Sequence, residues 1–163
     1  MPTTPRSTSS WSTFTRGLAR TLDALAEGEF LIISRRRINH FVQFASGGDE
    51  GMRAEAVNNM YIEPPHAVLT VEQYEAMDAL GWQRATQLPP ELVEGDNPPG
   101  SPNFFRNIEC WQSRDDLAAV ATATLRDVYG VSSPRRLVYE AFHRDWGHIE
   151  CPHLPIARRE QAA

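Results

Sequence analysis

Apolar residues recur at three- and four-residue steps through Trp11, Phe14, Leu18, Leu22 and Leu25, and the spacing then changes to period two between Phe30 and Ile62. The first spacing predicts an amphipathic helix, with Ser10 placed to cap its start and Gly28 to end it. Gly17 falls inside that helix at a propensity cost of about 1 kcal/mol, a sign of close packing at that point. The second spacing predicts three consecutive antiparallel strands, Phe30–Ser34, Ile38–Phe44 and Met52–Ile62, joined by an arginine turn and a Gly-Gly-Asp-Glu-Gly turn.

Alternation assigns two faces to this meander. Phe30, Ile32, Ile38, His40, Val42, Phe44, Met52, Ala54, Ala56, Met60 and Ile62 form a nearly all-apolar set, the expected core face. Leu31, Ile33, Asn39, Phe41, Gln43, Arg53, Glu55, Val57, Asn59 and Tyr61 form a mixed set. The grouping across strands depends on register. A mixed face of this kind has too much apolar area to stay bare and enough polar groups to hold a ligand, although the chain's own termini would cover it equally well.

Beyond the meander, Pro64-Pro65 stops the third strand, and Thr70 with Gln73 signals a capping box for a short helix carrying Tyr74, Met77 and Leu80 on its buried side. Gln83–Leu88 reads as a fourth strand. Residues 89–102 hold five prolines and two glycines, a long loop, and Asn103–Trp111 reads as the next strand. Ser113 and Asp116 open a third helix with Leu117, Val120, Ala121, Leu125 and Val128 on one side, closed by Gly130. Leu137–Phe142 is a last strand or extended arm, and residues 143–163 have no clear period. The pattern is that of an α+β fold: an N-terminal arm over residues 1–10, a single domain over 11–142, and an irregular tail.

Composition narrows the function more than the fold. A net charge of −5 opposes tracking of a nucleic-acid backbone, and Arg35-Arg36-Arg37 supplies only one turn's worth of positive charge. All sixteen basic residues are arginine, which removes lysine Schiff-base chemistry and the lysine-dependent phosphate loop. Two cysteines make no disulfide framework, and there is no leader-like or membrane-spanning apolar run, so a reduced cytoplasmic compartment is expected, with a Cys110–Cys151 bridge left open.

His143, His148, Cys151 and His153 are four metal-ligand types in a short span, but their spacing matches no standard zinc site, and surface histidines with a structural thiol account for them more simply. No nucleophile motif surrounds either cysteine, and no glycine-flanked serine elbow is present. Asp49-Glu50 and Asp115-Asp116 fall at a turn and a helix start, where solvation and dipole capping explain them. No catalytic residue, metal ligand or cofactor is therefore assigned.

Several fragments, in order, resemble the YbjN-like and type III secretion chaperone-like domains of actinobacteria: Phe41-Val42-Gln43-Phe44, Ala54 to Asn59 with Tyr61-Ile62, Leu80-Gly81-Trp82, Asn103-Phe104, and Thr124-Leu125-Arg126 through Gly130-Val131 and Pro134 to Tyr139–Phe142. The family-like order holds over roughly residues 11–142. The resemblance implies an α+β, non-enzymatic, peptide-binding chaperone, usually dimeric, whose client is an extended protein segment. On the mixed face, Phe41, Gln43, Asn59 and Tyr61 are the expected contacts, because aromatics supply area and amides satisfy a peptide backbone. A metal-dependent enzyme using the C-terminal His/Cys cluster and a client-free homodimeric protein are the alternatives.

Overall fold

The computed structural model describes residues 10–62, 67–87 and 100–160. Helix α1 (Trp11–Ala24) begins where Ser10 accepts a hydrogen bond from the Thr13 amide, and it buries Phe14, Leu18 and Leu22. Strands β1 (Glu29–Arg35), β2 (Phe41–Ser46) and β3 (Met52–Ala56) form the meander. Helix α2 (Val71–Ala79) starts at a capping box made by Thr70 and Gln73. Strand β4 (Phe104–Ile108), helix α3 (Arg114–Ala123) and strand β5 (Leu137–His143) follow, and α3 runs on into a π turn over Thr124–Val128.

The sheet order is β4-β3-β2-β1-β5, extended along the outer edge of β5 by two short pieces, β6 (Gly147–His148) and β7 (Ala157–Arg158). All pairings are antiparallel except that of β5 with β7. The core lies on one side of the sheet, where Leu31, Ile33, Val42, Phe44, Met52, Ala54, Ala56, Phe104 and Leu137 meet Phe14, Leu18, Leu22, Leu117, Ala118 and Ala121. The two long helices also touch each other through Thr15 and Thr122, whose hydroxyl oxygens are 2.7 Å apart.

Beyond shifted element ends, with β2 at Phe41–Ser46 where Ile38–Phe44 was expected and α1 stopping at Ala24 short of Gly28, three expectations from the sequence change. The phase of β1 is inverted: Leu31 and Ile33 are fully buried, whereas Phe30 and Ile32 lie on the opposite face. Every residue of Phe30–Ile33 is apolar, so the run itself selects neither phase. The hairpin does, because it pairs Ser34 with Phe41 and so sets Leu31 beside Phe44. Second, the third strand stops at Ala56, and Asn59–Tyr61 forms a 3₁₀ turn. Third, the Gln83–Leu88 strand reduces to one bridge, Gln83 with Phe105, and Arg84–Gln87 form no strand. Leu88 and most of the proline-rich loop lie outside the described residues, as does the N-terminal arm up to Ser9.

The segment after β5 has no period because it is tied down by isolated anchors. Cys151 and Leu154 enter the core, the Ile149 amide donates to the Ala141 carbonyl, and Arg159 donates to Tyr139. It also packs closely on α1. A Cβ on Gly17 would overlap the His153 carbonyl oxygen and lie 2.7 Å from Pro155 Cδ, so this helix position accepts only glycine without displacement. Gly51 has a similar role in the β2–β3 turn, with a φ of +93° and the Ile108 carbonyl against its α-carbon.

His40, just before β2, is buried between Ala67 and Tyr129. Its Nε2 sits 2.9 Å from the Ala67 carbonyl, its ring stacks on Tyr129 at 4.7 Å, and among the described residues its Nδ1 has no partner. Burial, opposed by the Ala67 hydrogen bond and aided by Arg35, holds its pKa below the ordinary 6.5.

Two outcomes are expected. Gly17→Ala gains about 1 kcal/mol of helix propensity but is expected to lose about 1–3 kcal/mol net through overpacking; a raised melting temperature would contradict the tail contact. His40 favours its neutral form on folding, so its stabilisation is complete above pH 6.5 and lost as pH falls through its lowered folded value. Urea unfolding between pH 7.5 and 5 should therefore show a steeper loss for the native chain than for His40→Asn.

Candidate functional site

The helices cover one face of the sheet, and register defines what remains on the other. One row across the strands reads Phe142, Phe30, Ala45, Arg53, Asn107, and the next reads Glu140, Ile32, Gln43, Glu55, Phe105. Val138, Ser34 and Phe41 form a third. Along β5 and β1 this face is mostly apolar, with Glu140 the exception, and along β3 and β4 it carries charges and amides around Phe105.

The apolar half is ordered by a ring pair. Phe30 and Phe142, direct cross-strand neighbours, stack with centroids 5.2 Å apart and planes 13° apart. The polar half is knitted together by Glu55 and Arg53. Gln43 Nε2 donates to Glu55 Oε2 at 2.6 Å, and Arg53 Nε lies 3.7 Å from Glu55 Oε1. The Arg53 guanidinium also donates to Ser101 and Asn107 and lies over the Phe105 ring at 4.6 Å.

Between the halves sits Ala45, a methyl group flanked in its row by Phe30 and Arg53. The small side chain leaves a depression of about 260 Å³ lined by Phe30, Ile32, Gln43, Phe44, Ala45, Arg53, Glu55 and Phe142. Phe30, Ile32 and Phe142 remain half-buried on this face.

Of the residues expected from the sequence, Phe41 and Gln43 lie on this face. Asn59 and Tyr61 lie past the end of β3, and the 3₁₀ turn takes them off the sheet. The Asn59 side chain is occupied at both ends, accepting from the Leu69 amide at 2.6 Å and donating to the Leu69 carbonyl at 3.0 Å. Tyr61 is 41 % exposed, its hydroxyl donates to Gln87 at 3.4 Å, and its carbonyl accepts from Asn39. The sequence reading missed Phe30 and Ile32 through the β1 phase, and Phe142 because only the β1–β5 pairing brings it to Phe30.

The C-terminal histidines and cysteine do not converge. His143 is buried with its ring stacked on Trp146 at 3.7 Å, while His148 and His153 are exposed. Among the described residues, no three His, Cys, Asp or Glu side chains are grouped to hold a metal ion. Burial, reinforced by Glu29 and Glu150, pushes the Cys151 thiol up to about 11, which keeps it protonated and a poor nucleophile near neutrality. Cys110 is exposed, and both thiols are free.

A family model described as T3SS (YopN, CesT) and YbjN peptide-binding chaperone 3 matches residues 4–143. The chain belongs to this TY-Chap3 family. The match runs from the segment before α1 to the last residue of β5, so it takes in all the strands that build the open face. The fold is the α+β, chaperone-like one, and the family is one of peptide-binding chaperones. No curated protein and no solved structure gives a significant match. Among the described residues, no helix is long and apolar enough to cross a membrane.

The Asn59 amide should act as a strut for the Leu69 segment. Asn59→Ala removes two hydrogen bonds and is expected to cost about 1–3 kcal/mol, read by urea unfolding, with faster proteolytic cleavage before α2.

Proposed function

We propose that this TY-Chap3 chain is a non-enzymatic chaperone of the cytoplasm that holds an extended segment of a protein client across its open sheet face. The observation that carries this reading is the Ala45-floored depression beside the stacked Phe30–Phe142 pair. A half-apolar, half-polar surface suits a peptide, whose side chains need burial while its backbone needs hydrogen-bonding partners.

The face is favoured over the sheet edges. The outer side of β4 is bridged at Phe105 by Gln83, and the outer side of β5 is paired with β6 and β7. An added strand would find both edges partly occupied. Phe41 and Gln43 belong to the proposed contact surface. Tyr61, held beside the β1–β2 loop through Asn39, extends it beyond the sheet. Asn59 contributes by fixing that turn.

Extended apolar peptides offered to the native chain should be captured, and the Phe30→Ser, Phe142→Ser double variant should weaken capture at least roughly tenfold, the equivalent of 1.4 kcal/mol. Stability should fall by about 1–3 kcal/mol with the loss of the half-buried ring stack, so folding of the variant is checked by circular dichroism. Unchanged capture by a folded double variant would remove the face from consideration. Capture weakened by Tyr61→Ala would place the client's path over the 3₁₀ turn. Light scattering during the titration separates a client from a second copy of the chain: displacement of a dimer by peptide means they share the face, and a dimer that persists and captures no peptide means the face is a self-interface.

A further inference from the structure

The chemistry of the depression specifies more than a greasy pocket. Its volume of about 260 Å³ exceeds the roughly 150 Å³ that holds a benzene ring in an apolar cavity. The inner wall is the edge of the Phe30–Phe142 stack with Ile32, which suits a planar apolar body.

On the far wall one carboxylate oxygen is short of a donor. Glu55 is the most enclosed charged group there, its side chain only 18 % exposed. Its Oε2 accepts from Gln43, but among the described residues no donor stands within hydrogen-bonding distance of Oε1, since Arg53 Nε is 3.7 Å away. The Arg53 guanidinium is directed to Ser101, Asn107 and the Phe105 ring. A carboxylate accepts at about four positions, so the wall presents unfilled acceptor capacity in a site already largely withdrawn from water.

We infer that the depression takes an aromatic side chain bearing a hydrogen-bond donor, a tyrosine of the client segment, with its ring against Phe30 and its hydroxyl donating to Glu55 Oε1. The inference rests on the open face being the client surface. Leucine or phalanx-like aliphatic runs would fill the volume and leave Oε1 bare. Arginine or lysine would bring a donor and set a second cation beside Arg53. Tyrosine meets both walls without adding charge.

The test uses the whole chain and three probes, N-acetyl-tyrosinamide, N-acetyl-phenylalaninamide and N-acetyl-leucinamide, followed by amide chemical shifts at Phe30, Ala45 and Glu55. The tyrosine probe should bind about fivefold more tightly than the phenylalanine probe, the value of one hydrogen bond worth about 1 kcal/mol. Glu55→Met should reduce that ratio to near one while leaving phenylalanine binding in place. Ala45→Leu, which fills the floor, should abolish binding of all three. Equal binding of tyrosine and phenylalanine probes by the native chain overturns the inference, as does a tyrosine preference that survives Glu55→Met. Should tyrosine-free extended peptides still be captured through Phe30 and Phe142 while the native chain shows no tyrosine preference, the side-chain assignment fails and the client face stands. If no peptide is captured and no probe binds, both fail.

Discussion

The pairing of β1 with β5 is the constraint on which the rest depends. It runs from Glu29 opposite His143 to Arg35 opposite Leu137 and joins parts of the chain far apart in sequence. On the helix side it sets Leu31 beside Ala141 and Ile33 beside Tyr139, all of them buried. Each fully buried aliphatic side chain is worth about 1.5–3 kcal/mol, so a one-residue slip, which would turn Leu31 and Ile33 outward, is strongly disfavoured. On the other side the same register places Phe30 against Phe142 and Ile32 against Glu140. Core and open face are two products of one alignment.

A sheet covered by helices on one side has to manage its other face, where only the row of Ser34 and Val138 is buried, and its edges. The bare face does so by composition: three half-buried apolar residues at one end, and at the other a charge pair, Arg53 with Glu55, that sums to zero locally. The edges are shortened by the Gln83 bridge and by the β6 and β7 pairings, which limits uncontrolled strand addition. What remains accessible is the sheet face itself, in a chain that belongs to a peptide-binding chaperone family.

Local signals were legible in the sequence, and nonlocal ones were not. Ser10 caps α1 and Thr70 with Gln73 forms a full capping box, because these motifs act within one turn of chain. Gly17 pointed to close packing, and the tail carbonyl of His153 supplies it, but nothing in the period could say which segment would arrive. The face of β1 was misread because Phe30–Ile33 is apolar throughout, so alternation carried no information and the hairpin decided. Gln43 and Phe41 were placed on the open face by their own strand. Asn59 and Tyr61 were carried past it by a turn that the strand-like composition of Val57–Ile62 conceals. Phe142 required knowledge of which strand lies beside β1, and that depends on a partner more than a hundred residues away.

The same distance has a consequence for biosynthesis. As the polypeptide leaves the ribosome, β1, β2 and β3 emerge long before residues 137–143, so the outer edge of β1 waits without its neighbour while most of the domain is translated. High contact order of this kind slows folding and leaves a strand edge open to intermolecular pairing. A domain whose family shelters other polypeptides thus passes through a nascent stage in which its own central strand needs shelter.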